Sequence, residues 1–281
     1  MNLLKLKQQL TEFFNEDIGD TDLSSELLFD EKQRGEFSLY AKEDGIFCGE
    51  KIIQIGFQLL TDESIQVHEL IQDGTVIQKG DLIARIEGPI RTLLSGERVI
   101  LNLIQRMSAI STKTALAVAA TTNSRTRICD TRKTTPGLRM FEKYAVRVGG
   151  GFNHRSGLYD CVMLKDNHIE FAGSISKAVN HVKQKLGHTT KIEVEVETKE
   201  QLIEAIEAGV DLLLLDNRTP AEIESWLPLI PPHIITEASG GITLDTLPEY
   251  AATEIHYISL GALTHSIHSL DMSALVQLKG V

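Results

Sequence analysis

The feature that most constrains the fold is a regular alternation of short apolar segments and helix-like segments after about residue 125. KEQLIEAIEAG is one of the helix-like stretches, and each such stretch lies between two apolar segments. Strands that alternate with helices favour a parallel β/α arrangement, and six strands are few for a complete eightfold barrel. We therefore expect an incomplete barrel. Its candidate strands are TRICD (126–130), YDCVMLK (159–165), KIEVEVE (191–197), VDLLLLD (210–216), HIITEAS (233–239) and HYISLGA (256–262).

The first hundred residues have a different pattern. Alternating apolar and polar residues, with turn signals such as Asp73-Gly74, predict a small antiparallel sheet with one covered face. From Ser95 to Ile110 the apolar residues recur at helical spacing, which predicts a long helix with Ser95 as its N-cap. Arg98 would then lie at the beginning of this helix, where the helix dipole favours anions.

Composition narrows the class of protein. The chain has 281 residues, a net charge of −11 and 42% hydrophobic residues, which disfavours a general nucleic-acid binder. No apolar stretch approaches the ~20 residues that span a bilayer. The leucine-rich N-terminus has the spacing of an amphipathic helix rather than a targeting peptide. The three cysteines include no CxxC pair. We therefore expect a cytoplasmic protein without nucleic-acid or membrane partners.

One segment is basic against this acidic background. Residues 125–168 contain nine Lys or Arg and four Asp or Glu, a local balance of +5. Arginine predominates, and its planar guanidinium binds carboxylates and phosphates in a bidentate manner. The segment therefore predicts a site for a small anionic ligand, although a solvated basic face is the alternative.

In a β/α barrel, functional residues lie at the carboxyl ends of the strands. Glycine-bearing turns follow the last two strand candidates, and such turns let the backbone approach a phosphate closely. Glu193, Glu195 and Glu197 alternate along one strand and either face solvent or, with Asp216, bind Mg²⁺ or sugar hydroxyls. These residues suit a phosphorylated sugar and an acidic second substrate. The strand ends carry Asp130 to Lys133, Lys165 to His168, Asp216-Asn217, Ser239-Gly240-Gly241 and Gly261-Ala262.

Several long motifs resemble those of the quinolinate phosphoribosyltransferase family. The longest is DTRKTTPGLRMFEKYAVRVGGGFNHRSGLYDCVMLKDNHI, residues 130–169. The resemblance covers nearly the whole chain, in order. Its other segments are EDIGDTD (16–22), ERVILNLIQRMSAIST (97–112), EVEVET (193–198), LLDN (214–217), EASGGI (237–242) and GALTHS (261–266).

The resemblance implies an α/β protein of the type II phosphoribosyltransferase architecture. An N-terminal α/β sandwich over 1–110 would precede an incomplete, seven-stranded α/β barrel over 111–266, and the tail 267–281 would pack back on the first domain. The resemblance also implies a homodimer, or a hexamer of such dimers. In either assembly Arg98 would reach the active site of the neighbouring subunit.

The resemblance further implies a decarboxylating transfer of phosphoribose from phosphoribosyl pyrophosphate to quinolinate, which gives nicotinate mononucleotide for NAD synthesis. Mg²⁺ would be held, directly or indirectly, by Glu195 and Asp216. Lys165 and His154 are both candidates for the acid that protonates the ring. By motif, the quinolinate ligands are Arg98, Arg132, His154, Arg155 and Lys165, and the phosphoribosyl pyrophosphate ligands are Lys133, Glu195, Asp216, Ser239, Gly240 and Gly261.

Three alternatives remain open from the sequence. The first is a related phosphoribosyltransferase with another acceptor. The second is a Schiff-base aldolase that uses Lys165 at a strand end. The third is a non-catalytic carrier built on the lipoyl-like stretch from Asp73 to Gly88, although no lysine lies between Asp81 and Glu97 to serve as an attachment site. His265 and His268 resemble a metal pair only weakly, since no further ligands accompany them.

Overall fold

The computed structural model describes residues 1–122 and 124–277. Its first half contains α1 (Leu3–Ile18), α2 (Leu23–Leu28), β1 (Arg34–Ala41), β2 (Gly45–Ile46), α3 (Glu50–Gly56), β3 (Gln66–Leu70), β4 (Val76–Ile77), β5 (Leu82–Pro89), α4 (Ile90–Ala119), β6 (Arg127–Cys129) and α5 (Arg139–Val148). The second half contains β7 (Val162–Leu164), α6 (Asp166–Ala172), α7 (Ile175–Lys183), β8 (Ile192–Val196), α8 (Lys199–Glu207), β9 (Leu212–Asp216), α9 (Pro220–Trp226), β10 (Ile235–Ser239), α10 (Leu247–Ala252), β11 (Tyr257–Ser259), α11 (Ala262–His265) and β12 (Met272–Gln277).

The chain divides into two compact units. The first comprises Met1–Lys113, Met140–Gly149 and Ile267–Val281, and the second comprises Thr114–Arg139 and Gly150–Ser266. The predicted barrel segment, 111–266, differs from the second unit mainly by including α5. Contacts within the first unit explain the difference, because Arg106 pairs with the fully buried Glu142 at 2.6 Å.

The first unit is built on an antiparallel sheet of order β12-β1-β5-β3. The β1 strand alternates between more and less buried residues and contributes Phe37 and Leu39 to the core. Strand β12, from the C-terminal tail, pairs with β1 along its whole length. In α1, Leu6, Leu10 and Phe14 are buried, because their spacing places them on one face of the helix.

Helix α4 begins earlier than the sequence pattern predicted. It starts at Ile90, so Ser95 is not its N-cap but an internal residue whose hydroxyl donates to Asp22 at 2.8 Å. Asp22 caps α2, and this tertiary contact replaces the capping role that local sequence suggested. Arg98 therefore lies in the third turn of α4, beyond the first turn in which a helix dipole acts.

The second unit confirms the predicted parallel β/α architecture. All six predicted strands form one parallel sheet of order β6-β11-β10-β9-β8-β7. The sheet has six strands in the described residues rather than seven. At the position of a seventh, Phe152 makes an isolated bridge to Cys129 on the outer side of β6. The next two residues, Asn153 and His154, instead donate hydrogen bonds to the side chain of Asp130, so the pairing with β6 does not extend into a strand.

The strands of the second unit are short and strongly apolar, since helices or barrel interior cover both faces. Leu213, Leu214 and Leu215 of β9 are all buried, as is Ala238 of β10. None of the helices described is both long enough and apolar enough to traverse a membrane.

Candidate active site

A cavity of about 720 Å³ opens at the carboxyl ends of the parallel strands in the second unit. This is the end of a β/α sheet at which functional loops converge. Every predicted site residue except Arg98 lines it. The predicted residues that it brings together are Arg132, Lys133, His154, Arg155, Lys165, Glu195, Asp216, Ser239, Gly240 and Gly261.

Four cations line the cavity, and we call Arg132, Lys133, Arg155 and Lys165 the cationic rim. Arg132 and Lys133 follow β6 and Lys165 follows β7, because each strand ends where its polar residues begin. The Lys165 ammonium lies 2.7 Å from Glu195 Oε2. Arg132 Nε is buried without a hydrogen-bond partner among the described residues, so this guanidinium can still bind an anion.

Glycines line another part of the cavity, and we call Gly240, Gly241 and Gly261 the glycine wall. Gly240 has φ +92°, and a Cβ atom at this position would overlap the side chain of Asn217. Gly261 directly precedes α11, and its small size admits the side chains of Lys133 and His265. The turn at Ser239 to Gly241 does not lead straight into a helix, because α10 begins only at Leu247.

Two carboxylates, Asp216 and Glu195, line the same cavity. Asp216 accepts hydrogen bonds from Ser239 Oγ at 2.6 Å and from Asn217 Nδ2 at 2.7 Å. Glu195, on the adjacent strand, pairs with Lys165. Magnesium prefers one or two carboxylates together with substrate phosphates and water. The oxygen donors of Glu195 and Asp216, which line the same cavity, therefore fit this ion.

The structure resolves the ambiguity of the alternating glutamates. Glu193 is fully buried and Glu195 is partly buried, so both face into the barrel, whereas Glu197 lies beyond the end of β8 and is exposed. Glu193 lies 3.2 Å from His154 Nε2. The solvent-facing interpretation is therefore wrong for Glu193 and Glu195 and correct for Glu197.

A second cluster lies at the base of the cavity, and we call Asp130, His154, Glu193 and Glu237 the acidic floor. Glu237 lines the cavity although it is only 4% exposed, and Asp130 and Glu193 are fully buried. Within the described residues, His154, Glu193 and Glu237 are the group whose donor atoms lie close enough to share a metal ion, all within 4.8 Å. This differs from the predicted pair of Glu195 and Asp216.

Sequence analysis missed Glu237 and assigned His265 only to a weak metal pair. Glu237 precedes Ser239 by two residues on β10, so period-two alternation places both on the barrel-facing side. His265 lines the cavity beside Gly261, and its Nδ1 is 2.7 Å from Ser266 Oγ.

His154 is held by protein groups at both ring nitrogens. Nδ1 accepts a hydrogen bond from the backbone N–H of Arg155 at 2.7 Å, so the ring proton is on Nε2, which faces Glu193. Asp130 accepts a hydrogen bond from the backbone N–H of His154 at 2.9 Å and another from Asn153 Nδ2 at 2.6 Å. The acidic floor therefore fixes the loop that carries Arg155 to the rim.

Arg98 is the one predicted residue outside this cavity. It is exposed on α4 and belongs to the first unit. Its predicted role across a subunit interface remains a prediction.

Comparison with known proteins agrees with this architecture. Residues 22–108 match the family model described as "Quinolinate phosphoribosyl transferase, N-terminal domain", and residues 110–275 match the corresponding C-terminal domain. A "Probable nicotinate-nucleotide pyrophosphorylase [carboxylating]" of Bacillus subtilis (strain 168) is 55% identical over 97% of this chain and 94% of that protein. The rat protein "Nicotinate-nucleotide pyrophosphorylase [carboxylating]" is 40% identical over 86% of this chain and 82% of the rat protein.

Solved structures extend this similarity to three dimensions. The crystal structure of NadC from Streptococcus pyogenes has a TM-score of 0.93 at 40% identity, over 99% of this chain and 98% of that one. The nicotinate-nucleotide pyrophosphorylase from Francisella tularensis has a TM-score of 0.90 at 35% identity, over 97% and 96% of the two chains. Both domain models and these full-length similarities show that the chain belongs to the quinolinate phosphoribosyltransferase family.

Proposed function

We propose that this protein transfers phosphoribose from phosphoribosyl pyrophosphate to quinolinate and releases CO₂, pyrophosphate and nicotinate mononucleotide. The observation that carries the proposal is the meeting of four cations, two carboxylates and a glycine wall in one cavity of the second unit. A dianionic pyridine needs several cations, and a sugar phosphate needs backbone donors that glycine leaves accessible. Family membership supports the same substrates.

The cationic rim would bind the two ring carboxylates of quinolinate. Arg132 has a buried, unpartnered Nε, and Arg155, which lines the same cavity, lies on the loop held by Asp130. In this role Arg98 of a second subunit would supply a further cation. We therefore propose a homodimer, or a hexamer of such dimers, as the active assembly.

The glycine wall would bind phosphoribosyl pyrophosphate. Gly240 and Gly261 let the 5′-phosphate approach backbone donors, the Ser239 hydroxyl holds Asp216 in place beside them, and Lys133 contributes a positive charge. Asp216 and Glu195 would orient the ribose hydroxyls and stabilise the positive charge that develops at C1 as pyrophosphate leaves. Mg²⁺, held through Glu195 and Asp216 directly or through water, would neutralise negative charge on the pyrophosphate.

The ring nitrogen forms the bond to C1 and becomes cationic. This positive charge stabilises the electron pair left on ring carbon 2 when the adjacent carboxylate departs as CO₂.

The ion pair between Lys165 and Glu195 at 2.7 Å suits a positively charged anchor better than the neutral amine that a Schiff-base aldolase requires. Cys48, Cys129 and Cys161 form no disulfide in the described part of the chain, which is consistent with a reducing, cytoplasmic environment.

The direct test supplies the purified protein with quinolinate labelled with ¹⁴C in its 2-carboxylate, phosphoribosyl pyrophosphate and Mg²⁺. We expect equal amounts of labelled CO₂ and nicotinate mononucleotide, and loss of both when EDTA removes the metal. Nicotinate, which lacks the second carboxylate, is the matched control acceptor. Transfer to nicotinate but not to quinolinate would refute the proposed acceptor.

The position of Arg98 has a separate test. Arg98→Ala and Lys165→Ala are each expected to be inactive as homodimers. Mixed under conditions that exchange subunits, they should recover part of the activity, because one site of the hybrid dimer then has both residues. Exchange demonstrated by mass spectrometry without recovery would refute the shared site.

A further inference from the structure

The acidic floor contains a carboxylic acid that the proposed function leaves without a role. Glu237 is 4% exposed, yet it lines the cavity. Its strand neighbour Leu214 also lines the cavity, as does Met163, so the site beside Glu237 is partly apolar. Its Oε1 atom is buried without a hydrogen-bond partner among the described residues.

Charged groups face Glu237 from several elements. His154 Nε2 lies 3.5 Å from its Oε1, Glu193 projects from β8, and Asp130 follows β6. The pKa of Glu237 is raised to about 7, mainly by burial. His154 and a hydrogen bond with Ser259 oppose this rise, whereas Glu193 and Asp130 contribute to it. Two carboxylates buried this close together do not both ionise readily.

The two candidate acids named from the sequence are already committed to other groups. Lys165 Nζ donates to Glu195 at 2.7 Å. The Nε2–H of His154 faces Glu193, and Nδ1 accepts from the backbone of Arg155. His154 Nε2 lies closer to Glu193, at 3.2 Å, than to Glu237, at 3.5 Å, so Glu237 is the carboxylic acid of this pair that His154 contacts less closely.

We propose that Glu237 is the acid that protonates ring carbon 2 after CO₂ leaves, an inference that rests on the proposed function. The bond between carbon 2 and the carboxylate breaks, and its electron pair stays on carbon 2 beside the cationic nitrogen. That pair takes the proton of the Glu237 carboxyl group and forms the C–H bond. Glu237 becomes a carboxylate beside His154 Nε2 and Ser259, and regains a proton from water after product release.

The test compares Glu237→Gln, which keeps the shape and cannot supply the proton, with Glu237→Asp and the control Glu224→Gln. Glu224 is an exposed residue of the same unit on α9. A lost general acid lowers turnover by about 10²- to 10⁴-fold. We expect such a fall in kcat for Glu237→Gln with KM for quinolinate within about 3-fold of wild type, partial recovery in Glu237→Asp, and no change in the control.

Protonation need not limit turnover, so the decisive readout is isotopic. In 50% D₂O, the H/D ratio at ring carbon 2 of the product depends on the group that delivers the proton. A ratio that changes in Glu237→Gln but not in Glu224→Gln supports the proposal, whatever kcat does. An unchanged ratio overturns it, even with a low kcat, because Glu237 would then have only a structural role.

Two further results keep the inference separate from the proposed function and from folding. If the wild-type protein releases no CO₂ from quinolinate, the proposed function fails; CO₂ release with an unchanged isotope ratio refutes Glu237 alone. If Glu237→Gln does not fold, ¹³C NMR of wild-type protein labelled at glutamate Cδ replaces it. A carboxyl group that titrates near 7 and is absent from Glu237→Asp supports the proposal, and ionisation of Glu237 below pH 5 overturns it.

Discussion

The cationic rim and the acidic floor are adjacent in one cavity but are held in opposite ways. Rim residues are partly or fully exposed, and the Lys165 side chain is 43% exposed. Floor carboxylates are buried and face one another and a histidine. An exposed cation remains charged and can bind or release an anion, whereas a buried carboxylate tends to retain a proton. The comparison suggests that the rim binds substrate and the floor controls protonation.

The largest effect should come from removing a rim cation. Lys165→Met keeps most of the side-chain volume but removes both a ligand for quinolinate and the partner of Glu195. Loss of one such electrostatic contact costs about 2–4 kcal/mol in the transition state. We expect kcat/KM for quinolinate to fall about 10²- to 10³-fold in steady-state assays.

Lys191→Met is the matched control for this change. Lys191 is exposed just before β8, at the opposite end of the strand from the cavity. Its loss should leave kcat/KM unchanged. Equal losses in both variants would mean that overall charge, rather than the rim, attracts the substrate.

The next effect should come from the floor, through a pH-dependent stability. The pKa of Glu237 is raised in the folded state from 4.5 to about 7, mainly by burial. Between these values the folded protein binds more protons than the unfolded chain, so this contribution to stability is present below about pH 4.5 and is lost as pH rises to 7. The change is on the order of 2–3 kcal/mol for a group this buried.

Urea unfolding at pH 5 and pH 7.5 measures this contribution. Wild-type protein should lose more unfolding free energy between the two pH values than Glu237→Gln, which cannot titrate. Parallel pH dependence in the two proteins would show that Glu237 is ionised throughout, and the contrast between rim and floor would disappear.

An effect of similar size is expected for Asp130, through which the floor holds the loop that carries Arg155 to the rim. Asp130 accepts hydrogen bonds from His154 N and Asn153 Nδ2, and it is fully buried. In Asp130→Asn the new side-chain NH₂ group faces one of these N–H donors, so that donor loses its acceptor. A buried unsatisfied group costs about 1–3 kcal/mol. We expect a lower urea midpoint and a higher KM for quinolinate, since Arg155 loses its position. A KM for quinolinate equal to that of wild type would show that the floor does not hold Arg155 in the rim.

The smallest effect should lie on the glycine wall, outside both regions. In Gly240→Ala the new Cβ meets Asn217, and the positive φ of +92° adds strain of about 1–2 kcal/mol. We expect KM for phosphoribosyl pyrophosphate to rise about 10-fold while KM for quinolinate stays near wild type. Gly241→Ala, also at positive φ but with open space at its Cβ, tests strain without the clash.

Sequence patterns predicted the barrel strands and most of the cavity for a simple reason. Polar residues at the ends of apolar strands must converge in a parallel β/α fold, so Arg132, Lys165 and Asp216 could be placed together. Glu237 was missed because its local segment is dominated by the glycines that follow. The start of α4 was missed because the contact of Ser95 with Asp22 joins residues far apart in sequence.

The contrast between rim and floor is tested most directly by a crystal structure with quinolinate bound in the absence of phosphoribosyl pyrophosphate, so that no turnover occurs. We predict that both ring carboxylates contact Arg132, Arg155 and Lys165, and that ring carbon 2 faces Glu237. A ring bound elsewhere, or one whose carboxylates avoid these three side chains, would contradict the account.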